Sequence, residues 1–210
     1  MMRSALIELQ FLPPISYFAL LSSFDEVILE KCEHYVKQTY RNRCYINTPA
    51  GKELLPVPVT SKSGKVMITD VKIDYDQKWL KPSWRKLQSA YGKAPFFEHY
   101  ADELHAVLFK KFIFLYDLNL ELLSLCLKWL DKEISIRQSE RYEKEIIPPV
   151  YDLRNHINPK NAVLPNKYHN VVTYPQVFGS KFVPNLSLLD LIFCMGPDAI
   201  LIVRKSLEAQ

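Results

Sequence analysis

A chain of 210 residues, 48% hydrophobic and 24% charged, suits one domain with a sizeable core. The 27 Lys and Arg exceed the 23 Asp and Glu by four, an excess too small to imply nucleic acid by itself but one that suits an anionic small ligand. No stretch approaches the roughly 18 apolar residues that a membrane span needs, and MMRSALIELQFLPP lacks a signal-peptide pattern, so a cytoplasmic protein without a membrane span is expected.

In chain order, SALIELQFL alternates weakly and stops at Pro13-Pro14, a first strand followed by a proline turn. ISYFALLSSF then reads as a short buried helix entered through proline, and VILE as a second strand. Strand, helix and strand in about thirty residues predict a βαβ-like start with a parallel pair. HYVKQTYRNRCYIN passes from a helical turn or loop into a strand. TPAGKE turns at Gly51, and ELLPVPVT is a strand confined to an edge by its prolines. VMITDVKID behind SKSGK is expected as a further strand. Antiparallel ribbons in this middle part favour an α+β (mixed α/β) domain with a mixed sheet over a doubly wound one.

Residues from about 79 to 133 are expected to be rich in helix. Asp74 or Asp76 is a candidate cap for a helix carrying Trp84, Leu87 and Tyr91 and ending at Gly92. PFFEHYADELHAVLFKK begins a second helix, and DLNLELLSLCLKWLDKE repeats Leu118, Leu122, Leu125 and Trp129 at helical spacing. The polar, proline-marked stretch from 134 to 170 predicts a strand, a loop or short helix, and another strand near Val171. A terminal apolar helix runs from about Ser187 to Met195, with Asn185 as its cap and Gly196-Pro197 as its stop.

The chemistry-bearing residues are dispersed. Cys32, Cys44, Cys126 and Cys194 are too far apart for a CxxC motif, and Cys126 and Cys194 lie in apolar runs that make them core residues. His34, His99, His105, His156 and His169 form no HExxH, and no GxSxG elbow occurs. The 5 glycines are not grouped as a phosphate-cradling loop requires, so neither a metal nor a cofactor is called for. In TYRNRCYI, strand alternation would place Arg41 and Arg43 on one face with Tyr45, and Asn42 on the other. Two parallel guanidinium forks suit a phosphate or carboxylate; a solvated strand face gives the same pattern. Asp190 in LSLLDLIF either faces solvent or lines a pocket and meets an arginine such as Arg41 or Arg43. Gln10 with Tyr17 and Tyr174 with Asn185 set amides beside aromatic faces, and Trp84 with Tyr91 adds an aromatic pair, a mix of the kind sugar or nucleobase pockets use.

Four segments in order resemble the WbqC-like family, bacterial proteins associated with O-antigen and other surface-polysaccharide loci. They are LQFLPPISYF (9–18), RNRCYI (41–46), WRKLQSAYGKAPFF (84–97) and YPQVFGSKFVPNLSLLDLIFCMG (174–196). Leu9 stands where the family motif has histidine and Ser16 where it has glycine, and residues 134 to 170 lack a glycine-containing piece common in the family. The resemblance implies a single WbqC-like domain over 1–210 with a role beside sugar-nucleotide or glycan modification. On that footing Arg41 and Arg43 anchor the anionic group of a phosphate-bearing or nucleotide-linked sugar, and Asn42 binds it or stabilises the local backbone. Gln10, Tyr17, Trp84, Tyr91, Tyr174 and Asn185 contact the sugar or base, and Asp190 orients an arginine or acts as general base. A transferase acting on an activated sugar is the first reading. A non-catalytic binding or scaffold module of a polysaccharide-assembly complex is the alternative. Neither involves nucleic acid, and both leave room for a homo-oligomer.

Overall fold

The computed structural model describes residues 3–60, 65–160, 170–179 and 181–207. In chain order the elements are β1 (Ser4–Glu8), α1 (Ile15–Leu21), β2 (Glu26–Glu30), β3 (Arg43–Thr48), β4 (Gly51–Pro56), α2 (Leu80–Tyr91) and α3 (Phe97–Phe109). They continue with α4 (Leu115–Trp129), β5 (Ser135–Gln138), β6 (Val150–Asp152), α5 (Leu188–Met195) and α6 (Ala199–Lys205). The fold is mixed α/β with a central helical section, as the sequence indicates. The parallel and antiparallel pairings form two separate sheets: four strands in the order β5-β2-β1-β6, and the ribbon β3-β4.

All pairings in the larger sheet are parallel, and Ser4 to Glu8 match Glu26 to Glu30 residue for residue. The first strand therefore lies inside the sheet, with β2 on one side and the last strand, β6, on the other. This reversal of strand order is the kind of place where open parallel sheets open a crevice beyond the strands' carboxyl ends. Alternation puts Ala5, Ile7, Val27 and Leu29 on one face and Leu6, Glu8, Ile28 and Glu30 on the other. All eight are buried. Helix α1 forms behind Pro14, whose fixed φ of −70° suits a helix entry. It packs on α5 and α6.

The leucine spacing in α4 produces the packing it predicts: Leu118, Leu122, Leu125 and Trp129 are all buried, and α4 lies against α3. Several local expectations are corrected. VMITDVKID forms no strand, only a 3-10 turn at Ile68–Asp70 with single bridges from Met67 to His34, Lys72 to Phe114 and Ile73 to Val59. Its backbone is divided among three partners, so no ladder propagates. Residues 170–179 hold no strand near Val171. Gln176 there instead hydrogen-bonds the Val183 backbone at both polar atoms of its amide. Asp74 accepts from the Asp76 amide and the Gln77 side chain within the preceding turn, while α2 starts after Trp79 with no side-chain cap. Ser187, rather than Asn185, caps α5 by accepting from the Leu189 amide. Asn185 sits at φ +52° and accepts from the Ser16 amide instead.

The four recognised segments and the residues flanking them interlock, mostly through main-chain bonds. Phe11 N donates to Tyr40 O (2.8 Å), Ile15 N to Leu186 O (3.0 Å), Leu188 N to Pro13 O (2.9 Å) and Ser187 N to Tyr45 O (2.8 Å). The Asn47 amide donates to Tyr91 Oη at 3.0 Å, tying in α2. The early turn is held hard enough to keep Leu12, fully buried, at φ +42°, a conformation uncommon for leucine.

Candidate functional site

The carboxyl ends of β1 and β2 deliver Glu8 and Glu30 side by side, because they are paired residues on one sheet face. Glu33 follows three residues later, and all three are buried. Glu8 accepts from Gln10 Nε2 (2.8 Å) and from the Asn155 amide (2.7 Å). Its backbone carbonyl accepts from Tyr17 Oη at 3.0 Å. Glu30 accepts from Ser139 Oγ (2.6 Å), the Cys32 amide (2.9 Å) and Arg154 Nη1 (3.2 Å). Glu33 receives a two-pronged contact from Arg41, Nε at 2.6 Å and Nη2 at 2.5 Å. Arg41 Nη2 also donates to Asn155 Oδ1 (3.2 Å), and Nη1 to Thr39 Oγ1 (3.3 Å). Arg154 grips Asp152 through Nε (2.9 Å) and Nη2 (2.7 Å) and lies over the Tyr142 ring at 4.7 Å.

Asn155 joins these parts. It follows the end of β6, at the reversal point beside β1, with φ +60°, a conformation asparagine tolerates better than most residues. Its amide serves Glu8, its side chain serves Arg41, and it is exposed, so the network meets solvent there. Three buried carboxylates face two guanidinium groups, one of which is shared with Asp152, leaving acid in excess. Burial pushes the Glu33 carboxyl up against the opposing pull of Arg41. Burial alone would lower the Arg41 pKa, but the Glu33 hydrogen bonds and the Glu8 charge outweigh it, so the guanidinium stays charged. The Arg154 hydrogen bonds hold Asp152 below its ordinary value. Two deeply buried polar atoms in this region lack partners, Gln10 Oε1 and Tyr116 Oη. Burial and the charge of Glu30 keep the Tyr116 phenol protonated.

Asp190 belongs to a second group. Fully buried, it accepts from Tyr91 Oη (2.9 Å), Tyr174 Oη (2.7 Å) and Gln176 Nε2 (3.0 Å). Desolvation raises its pKa, with the three donors pulling the other way. Of the two alternatives for Asp190, it is not at the surface, and the arginine pairing is not formed either: Arg41 is committed to Glu33. Nor do Arg41 and Arg43 share a strand face: Arg41 lies in a 3-10 turn at Tyr40–Asn42, and Arg43 opens β3.

The structure thus brings Gln10, Tyr17 and Arg41 together at the sheet end, and Tyr91, Tyr174 and Asp190 together beneath α5. Arg43 is half-buried, makes no ion pair among the described residues, and has a buried Nε without a partner. Asn42 donates to the Val57 carbonyl (2.9 Å) and lines a shallow cavity of about 470 Å³. Trp84 packs with Phe97, His105 and Phe109, away from both polar groups. Asn185 serves the turn described above, and His169 lies outside the described residues. Sequence reasoning missed Glu8, Glu30, Glu33, Arg154, Asn155 and Tyr116. The available signal was a glutamate closing each of two apolar strands, in ALIE and VILE, which a parallel pair must bring together.

Among the described residues no three His, Cys, Asp or Glu side chains gather as metal ligands, and no helix is long and apolar enough to cross a membrane. No solved structure matches the chain. It is 28% identical over 224 residues to "Uncharacterized protein Rv1507c" of Mycobacterium tuberculosis (strain ATCC 25618 / H37Rv), an alignment spanning 95% of this chain and 96% of that protein. The family model described as "WbqC-like protein family" matches residues 10–162 and 148–202, which include all the residues of the sheet-end network except Glu8 and all of the Asp190 group. The chain belongs to the WbqC-like protein family.

Proposed function

We propose that the chain is a cytoplasmic sugar-nucleotide-binding transferase of bacterial surface-polysaccharide biosynthesis, the process with which its family is associated. The observation that carries this reading is the excess of buried carboxylate at the reversal point of the parallel sheet. Carboxylates accept hydrogen bonds, and hydroxyl and amino groups are the donors a sugar presents in number. Gln10 Oε1 is a further acceptor without a partner in that region. Glu33, raised by burial, is the group suited to take a proton from an acceptor hydroxyl. The anionic end of the substrate goes to Arg43, which is half-buried and makes no ion pair among the described residues, rather than to Arg41, whose guanidinium is filled. Asp190 acts as a positioning residue that fixes Tyr174 and Gln176.

Titration calorimetry with a panel of sugar nucleotides and their sugar-free nucleotides tests this. A sugar nucleotide should bind more tightly than its parent nucleotide. Gln10→Leu should weaken the sugar-dependent part, and Arg43→Ala should weaken both by about 1.5–3 kcal/mol. Equal affinity with and without the sugar, or no binding across the panel, would overturn the assignment. The scaffold reading has one observation in its favour, that every hydrogen bond of the Arg41–Glu33 pair is internal. A null panel result would leave that reading standing.

A further inference from the structure

A cleft of about 760 Å³ lies beside the start of α2, and no residue of the carboxylate network or the Asp190 group lines it. Its floor is aromatic: Tyr75 stacks on Trp79 with centroids 6.3 Å apart and planes 28° from parallel, and Phe109 and Leu80 complete it. Its rim is cationic, from Lys78, Lys81, Arg85 and Lys111, all exposed. None of the four makes an ion pair among the described residues, and no carboxylate lines the cleft. The whole chain has a net charge of only +4, so this one place gathers as many unpaired positive charges as the molecule has in excess. Lys78 (φ +47°) and Lys111 (φ +58°) both hold left-handed backbone, which turns the chain at the two ends of the rim. Trp79 is 93% buried, and its indole Nε1–H, a donor, has no acceptor.

We propose that this cleft binds a single-chain amphiphile with a phosphorylated head, an alkyl or isoprenyl phosphate. Its volume is that of a pocket for one small molecule rather than of a protein-docking surface. Four clustered positive side chains favour a negative guest, and an aromatic floor adds nothing for a bare phosphate. The chain of such a ligand covers Tyr75, Trp79 and Phe109. Its phosphate meets the lysines and Arg85 at the rim. The assignment is independent of the sugar site proposed above.

Decyl phosphate, kept below its micelle-forming concentration, is titrated into the full chain with indole fluorescence and heat as readouts. Saturable one-to-one binding is expected. Lys78→Gln combined with Lys111→Gln should weaken it on the order of tenfold or more with an unchanged Tm, since both side chains are exposed. Decanol and inorganic phosphate should each bind far more weakly. Equal affinity for decanol, equal affinity for inorganic phosphate, or an unchanged constant in the double variant would overturn the proposal. So would attachment to anionic phospholipid vesicles without binding of monomeric decyl phosphate, which would identify a membrane surface as the partner.

Discussion

Arg41 and Arg43, two residues apart, have opposite situations. Arg41 is 1% exposed and neutralises a buried carboxylate, so Arg41→Ala strands Glu33 without its counter-charge. Breaking a buried pair from one side costs about 3–5 kcal/mol. Urea unfolding should show a loss of that size for Arg41→Ala and little change for Arg43→Ala. Cysteine reactivity follows burial in the same way. Cys32 is half-buried, whereas Cys44, Cys126 and Cys194 are buried, with burial pushing the Cys126 and Cys194 thiols up to about 12. Iodoacetamide applied to the folded chain should therefore modify Cys32 first, as peptide mass mapping would report. Little at this scale was legible beforehand: sequence spacing cannot show that one guanidinium of RNR is filled and the other is not.

At the scale of elements, Asp190 fastens the Tyr174–Gln176 stretch to α5. Its pKa is raised by desolvation, as is that of Glu33, so the folded chain binds protons there more readily than the unfolded one. The sign of the linkage is then fixed. The contribution of these two groups is fully present below the unfolded carboxylate range and is lost as pH rises through their raised folded values. Asp152 behaves oppositely, contributing above its unfolded value and losing that as pH falls through its lowered one. Denaturant midpoints measured between about pH 4 and pH 8 should fall less steeply in Asp190→Asn than in the parent. Ser187→Ala removes the only side-chain cap of α5 and should cost about 1 kcal/mol. The helices from 79 to 133 were legible because apolar spacing alone decides them. The VMITDVKID segment was misjudged because its apolar pattern resembles a strand, while its partners, in three different parts of the chain, allow only isolated bridges.

At the scale of the whole molecule, the four family segments form one locked unit: a turn, a 3-10 corner, a helix end and the start of α5. Main-chain bonds that cross more than 170 residues, as between Ile15 and Leu186, hold it together. The βαβ start and the mixed fold class could be read from local pattern. The sheet-end network could not be read whole, because Arg154 and Asn155 join Glu8, Glu30, Glu33 and Arg41 only after β6 has paired with β1, and no local rule sets that register. The pairing of β6 also leads to a last expectation. Amide hydrogen exchange should report the opening of β6 and β1 together, since Leu153 N donates to Leu6 O beyond the last paired residue.

Asn155 sets a condition on synthesis. A ribosome releases Glu8, Glu30 and Glu33 more than a hundred residues before it releases Arg154 and the asparagine. Until then Arg41 is the one guanidinium of the described network present to offset three acids, and closing the sheet would bury unmatched negative charge. Emergence of this short segment is therefore one condition for closing the sheet, and α5 and α6, which pack on α1, must still follow it.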